Sequence, residues 1–151
     1  MLWIADLSWI PDCVQIKTLL ESCMHRPRRM NHKAEELKAR TKKFALDVLD
    51  FVDTLPKYGP AVRIGDQLTD AATSAAANYR AVCRSRSKAE FAAKVGVVLE
   101  ETDESLFWLE LTQARSIGSA KLRSPLLREA DELSAIFAAS SITVRQSLSS
   151  R

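Results

Sequence analysis

Glycine and proline are scarce in this 151-residue chain, which contains four glycines and five prolines. Because these residues interrupt helices most strongly, long helices are possible over most of the sequence. Cysteine is also scarce, since Cys13, Cys23 and Cys83 make an odd number without close spacing. This pattern argues against a disulfide framework or a zinc site and favours a reducing, cytoplasmic location.

Long hydrophobic runs are missing as well. The apolar stretch from Leu2 to Ile10 is interrupted by Asp6 and ended by Pro11, and it is far shorter than the ~20 residues of a membrane span. A secretory signal would carry basic residues ahead of its apolar part, but here they follow it. We therefore predict a cytoplasmic protein with no membrane partner.

Residues suited to catalysis are few. His25 and His32 are the only histidines, and no phosphate loop, nucleophile elbow or Cys/His metal spacing occurs. The sequence predicts a protein that is not an enzyme and binds no metal or cofactor. A remote alternative is a ribonuclease, because Arg26 and His32 resemble the Arg–His motif of HEPN domains, although Pro27 separates them. Cys83 lies between two arginines, so it is either a reactive thiol or a buried one.

Apolar and small residues recur in steps of four and three along four segments. The stripes are Leu37, Thr41, Phe44, Val48, Phe51 and Leu55; Ile64, Leu68, Ala71, Ala75, Asn78 and Val82; Phe91, Val95, Val98, Thr102, Ser105 and Leu109; and Leu126, Ala130, Leu133, Phe137, Ser140 and Val144. This spacing predicts four amphipathic helices in an all-α, antiparallel up-down-up-down bundle. We expect residues 33–148 to form the bundle and residues 1–32 to be an N-terminal extension, either a short helix or a non-native start.

Turn and cap residues separate these segments. Gly59–Pro60 ends the first turn and starts the second helix. Ser87 and Glu90 form a Ser-x-x-Glu capping box that begins the third helix, and Gly118 marks its end. Ser124–Pro125 predicts an N-cap and the first residue of the fourth helix.

Charge is unevenly distributed where the second helix gives way to the third. The basic residues there are Arg80, Arg84, Arg86, Lys88 and Lys94, and the acidic residues further on are Glu100, Glu101, Asp103 and Glu104. The basic group could contact nucleic-acid phosphates, or the two groups could join neighbouring subunits head to tail. Scattered solubilising charge is the third interpretation.

Polar and aromatic residues between positions 67 and 109 stand in an order that is hard to reach by chance. They are Gln67, Leu68, Ala71, Ala72, Ser74, Asn78, Ser87, Glu90, Phe91, Glu100, Glu101, Trp108 and Leu109. The string resembles the four-helix-bundle proteins encoded by intervening sequences of bacterial large-subunit ribosomal RNA, over about residues 35–145. Many members have Asn-Ile-Ala-Glu-Gly at positions 78–82, and the different sequence here predicts a longer second helix.

The resemblance implies a homopentamer built as a ring of bundles. A related branch, the accessory variability proteins of diversity-generating retroelements, binds nucleic acid and a reverse transcriptase. We therefore expect a non-enzymatic homo-oligomeric module that contacts RNA or DNA through its basic residues, with a reverse transcriptase or another protein as a further partner. The alternative is a structural subunit whose charges serve ring assembly.

Overall fold

The computed structural model describes residues 32–149, and within them it contains four helices and no strand. The helices are α1 (His32–Val52), α2 (Pro60–Val82), α3 (Lys88–Ala114) and α4 (Ala120–Ser149). Each packs on the next, and α4 packs back on α1. The predicted all-α bundle is confirmed. The proposed extension lies outside the described residues apart from His32, so the domain division stays a prediction.

The core follows the predicted stripes in three of the four helices. Every predicted stripe residue of α1, α3 and α4 is buried, as is Leu55 just after α1. Phe44, Phe51 and Phe137 are among the largest fully buried side chains, and burying an aromatic or branched side chain contributes about 1.5–3 kcal/mol. These contacts bring the four helices together around one interior.

The inward face of α2 is rotated relative to the prediction. Ile64 and Asn78 are only half-buried, whereas Gly65 and Tyr79 are buried. The Tyr79 ring lies 5.4 Å from that of Phe137 on α4. Alanines occupy several neighbouring sides of this helix, so the spacing of apolar residues does not show which side faces the core. The bulky ring of Tyr79 packs inward and determines the buried side.

The start of α4 also differs from the prediction. The helix begins at Ala120, where Ser119 Oγ accepts a hydrogen bond from the Leu122 N–H at 3.4 Å. Pro125 therefore lies inside the helix instead of at its first position. It has no N–H to donate to the carbonyl of Lys121, and both residues are exposed.

Tertiary contacts explain the earlier start of α4. The guanidinium of Arg123 is buried and donates through Nη1 to the carbonyls of Ile117 (2.8 Å) and Thr112 (3.3 Å). The N–H of Ser119 donates to Thr54 Oγ at 2.9 Å, which connects this turn to the one after α1. If the helix began at Ser124, Arg123 would lie outside it and its guanidinium would no longer be held in position to donate to these carbonyls.

An ion-pair cluster joins α1 to α4. Arg40 donates to Glu129 through Nε (2.6 Å) and Nη2 (2.9 Å), and its Nη2 also reaches Glu132. The fork of a guanidinium matches two carboxylate oxygens, so this contact fixes the relative position of the two helices. No helix in the described part of the chain is long and apolar enough to cross a membrane.

Candidate nucleic-acid interface

Four of the predicted basic residues lie at one end of the bundle. Arg80 is in the last turn of α2, Arg84 and Arg86 are in the connection to α3, and Lys88 is the first residue of α3. In an antiparallel bundle the starts of α1 and α3 and the ends of α2 and α4 meet at this end. We call these four residues the basic end.

Among residues 32–149, the arginines of the basic end have no fixed counter-charge. Arg80, Arg84 and Arg86 are exposed, and none makes an ion pair with any residue from 32 to 149. Lys88 is half-buried and equally without an ion pair in that range. No acidic side chain in the described part of the chain neutralises these four charges.

Lys94 behaves differently from the other predicted basic residues. Its Nζ lies 2.7 Å from Glu90 Oε1 and 3.4 Å from the carbonyl oxygen of Ala81. The side chain thus connects α3 to the last turn of α2, and its charge is balanced by Glu90. Lys94 therefore supports the contact between the two helices, and whether it contacts nucleic acid stays a prediction.

The predicted capping box is present at the start of α3. Ser87 Oγ accepts from the Glu90 N–H at 3.1 Å, and Glu90 Oε2 accepts from the Arg86 N–H at 2.8 Å. The return bond thus goes to the residue before the N-cap. Hydrogen bonds from Lys94 and then from the Arg86 backbone lower the pKa of Glu90, so this carboxylate stays ionised and is occupied by its neighbours.

Helix electrostatics do not explain why Arg86 and Lys88 stand at this position. The N-terminus of a helix carries partial positive charge, and cations there are unfavourable. Glu90 is the only acidic residue in the first turn of α3. The arrangement therefore costs some helix stability.

Three further basic residues of this end were not predicted. Lys33 and Lys38 lie in the first turns of α1, and Arg145 lies in the last turns of α4. Lys38 pairs with Glu35 at 2.5 Å, whereas Lys33 and Arg145 make no ion pair with residues 32–149. Only the bundle topology reveals that they share an end with Arg84.

Cys83 is half-buried at the end of α2. Burial is the largest influence on the thiol and raises its pKa, and this outweighs the opposing hydrogen bond with Tyr79. Because the thiolate is the reactive form, a raised pKa makes Cys83 less nucleophilic at neutral pH. The raised pKa therefore favours the interpretation of Cys83 as an unreactive thiol.

The predicted acidic interface residues separate into two groups. Glu100, Asp103 and Glu104 are exposed on the outer side of α3, and Glu104 accepts from Trp108 Nε1 at 2.9 Å. Glu101 instead turns toward α2, where its Oε1 accepts from Ser74 Oγ at 2.8 Å. Three of the four acidic side chains are therefore exposed on the surface, and their contact with a neighbouring subunit stays a prediction.

Most residues of the motif string have a role in the fold. Asn78 Nδ2 donates to the carbonyl and the hydroxyl oxygen of Ser74, each at 3.0 Å, which extends the bond from Ser74 to Glu101. Leu68 and Phe91 are buried in the core. Gln67 is half-buried on α2. The string thus marks the junction between α2 and α3.

The described residues contain no arrangement of side chains that supports the ribonuclease alternative. His32 is exposed at the start of α1, with Nδ1 3.1 Å from Glu36 Oε1, and Arg26 lies outside the part of the chain that the structure describes. Within residues 32–149, no group of three His, Cys, Asp or Glu side chains could hold a metal ion.

Comparison with known families gives one clear match. The family described as 23S rRNA-intervening sequence protein matches residues 34–139. The chain belongs to this family. The match covers all of the bundle except the first residues of α1 and the last residues of α4. It agrees with the resemblance carried by the motif string.

A solved structure with the same fold comes from Bacteroides thetaiotaomicron VPI-5482 and is described as a protein with unknown function from the S23 ribosomal protein family. It is 22% identical, the alignment covers 71% of this chain and 96% of that one, and the TM-score is 0.62. At this identity the likeness shows the fold alone. No curated protein matches the chain.

Proposed function

We propose that this member of the 23S rRNA-intervening sequence protein family is a non-enzymatic, homo-oligomeric module that holds RNA or DNA by its phosphate backbone at the basic end. One observation carries the proposal: Arg80, Arg84 and Arg86 lie close in sequence where α2 gives way to α3, and they are exposed and without an ion pair to residues 32–149. A guanidinium offers several N–H donors in a fork that fits a phosphate group.

Contacts of this kind give affinity without sequence preference. Each neutralised phosphate releases a counterion, so four contacts give a slope of log K against log salt of roughly −4. Binding should then weaken roughly a hundredfold between 50 and 200 mM salt. Salt-independent binding, or none at low salt, contradicts the proposal.

Paired charge reversals provide a matched test with a fluorescent RNA of mixed sequence and a duplex DNA. The double variant Arg84→Glu/Arg86→Glu should lose most of the binding. The control Lys121→Glu/Arg128→Glu changes the net charge equally, on exposed residues of α4 away from the basic end, and should bind nearly as well as the unaltered protein. Equal loss in both variants would mean that only overall charge matters.

The second candidate function is a structural subunit in which the basic end docks on an acidic neighbour. The exposure of Glu100 and Asp103, which make no ion pair with residues 32–149, favours it. In that case the reversal of Arg84 and Arg86 should lower the assembly mass measured by light scattering. An unchanged mass together with lost RNA binding favours the first function.

A further inference from the structure

Three arginines stand close together in the sequence just before the bundle, and the proposed function leaves them unused. Arg26, Arg28 and Arg29 precede His32, the first residue of α1, by three to six residues, and they lie outside the described residues. A chain advances at most about 3.6 Å per residue, so the Cα atom of Arg29 lies within about 11 Å of that of His32, and that of Arg26 within about 22 Å. The covalent chain therefore confines the three charges to the neighbourhood of the start of α1.

The start of α1 is next to the basic end. A Cβ added to Gly65 of α2 would lie 3.2 Å from the side chain of Val52 and 3.4 Å from that of Leu55, and these contacts set the antiparallel register of the two helices. Arg84 lies 19 residues beyond Gly65, and 19 residues back from Val52 and Leu55 are positions 33 and 36. Neighbouring helices lie about 8–10 Å apart. The first turn of α1 and the connection between α2 and α3 are therefore neighbours at one level of the bundle.

The acidic side chains closest to the three arginines in sequence already have partners. Glu35 pairs with Lys38 at 2.5 Å, and Glu36 Oε1 lies 3.1 Å from His32 Nδ1. The positive end of the α1 dipole is also at this point, and it disfavours cations. The electrostatics of α1 therefore give no reason for three arginines directly before it.

We propose that Arg26, Arg28 and Arg29 form the second half of the nucleic-acid surface, so that one bound molecule of RNA or DNA contacts them together with the basic end. This rests on the proposed function. The basic end lies where α2 gives way to α3, and the three arginines approach it from the start of α1, which packs on α2. A duplex carries one phosphate charge per 1.7 Å of its axis, so a length of about 20 Å offers roughly twelve charges to the cations of both halves.

The salt dependence of binding to a short duplex DNA of mixed sequence tests this surface. Each phosphate contact adds about 0.9 to the slope of log K against log salt, and the contributions add only when one duplex contacts both halves. The full chain should therefore give a slope of about −6, and Arg26→Gln/Arg28→Gln/Arg29→Gln should return it to about −4. Between 50 and 200 mM salt, the affinity should fall by roughly three to four orders of magnitude in the full chain and roughly a hundredfold in this variant.

Two further variants make the result specific. Arg26→Lys/Arg28→Lys/Arg29→Lys keeps the three charges and should keep the steep slope, because counterion release depends on charge. The matched control removes three charges in the half of the bundle away from the basic end, from exposed arginines without an ion pair to residues 32–149, and should leave the slope nearly unchanged: Arg63→Gln/Arg115→Gln/Arg128→Gln.

The outcomes separate this inference from the proposed function. If the glutamine variant of residues 26–29 keeps the slope and affinity of the full chain, the second half of the surface is overturned, and binding by the basic end stands. An equal loss in the matched control overturns it as well, because net charge alone would then explain the effect. A full chain that binds no duplex even at low salt removes the proposed function and this inference with it.

Discussion

At the end of the bundle where α1 turns into α2 and α3 into α4, the two turns are bonded to each other. Thr54 accepts from the N–H of Ser119, and Gly118 packs against Phe51 and Leu55. We call the turns at residues 53–59 and 115–119 the interlocked end. At the opposite, basic end, Arg84 and Arg86 are exposed with no ion pair to residues 32–149.

The two ends therefore differ in the use of their cations. At the interlocked end a cation stabilises the fold, whereas at the basic end the cations make no ion pair with residues 32–149. At the interlocked end Arg123, the one buried cation among residues 32–149, donates to the carbonyls of Thr112 and Ile117. Next to the basic end, Lys94 is the one predicted cation that pairs with a carboxylate of residues 32–149. Changes at the first end should therefore affect stability, and changes at the second should affect binding.

The largest expected effect is that of Gly118→Ala. The backbone of Gly118 has φ +75°, and an added Cβ would lie 2.8 Å from Leu55 Cδ2 and 2.9 Å from Phe51 Cε2. Backbone strain and overpacking together should lower the free energy of unfolding by about 3 kcal/mol in urea denaturation. Gly59→Ala is the control for backbone strain without a clash, because its φ of 62° and ψ of −153° favour glycine but nothing lies within 4 Å of an added Cβ, and it should cost about 2 kcal/mol. Equal costs would show that packing at Gly118 is unimportant.

Arg123→Met should have the next largest effect. Methionine keeps the apolar stem but leaves the Ile117 carbonyl in the turn after α3 without its donor, whereas the Thr112 carbonyl still accepts from the Ile117 N–H. This loss should cost roughly 2 kcal/mol in unfolding free energy. Arg128→Met is the matched control on the same helix, since Arg128 is exposed, and it should change stability by less than about 0.5 kcal/mol. If both variants unfold alike, the buried hydrogen bonds of Arg123 do not stabilise the interlocked end.

The sequence predicts the fold where local signals and packing agree. In α1, α3 and α4 the core residues follow the four-three spacing, and Ser87 with Glu90 marks a helix start that the structure confirms. In α2 the alanines leave the face undecided. At the start of α4, Ser124–Pro125 is a good local signal, but the contacts of Arg123 and Ser119 determine the outcome.

The candidate site is predictable only as far as its residues are close in sequence. Arg80 to Lys88 form one segment, so their clustering is visible without a structure. The pairing of Lys94 with Glu90 could also have been predicted from its i,i+4 spacing. The pairing of Arg40 with Glu129, 89 residues away, has no local signature, and Arg145 joins the basic end only through the topology.

The smallest effect on stability is expected at the basic end, from Arg86→Gln. Its cation stands next to the positive end of the α3 dipole, so removing it should raise the unfolding free energy by up to about 0.5 kcal/mol at low ionic strength and hardly at all in high salt. The adjacent change Ser87→Ala is the control, because it removes the cap and should cost about 1 kcal/mol. RNA binding should show the reverse order, with Arg86→Gln weakening it and Ser87→Ala affecting it little. If Arg86→Gln destabilises the protein as much as Ser87→Ala, Arg86 is a structural residue, and the distinction between the two ends of the bundle no longer holds.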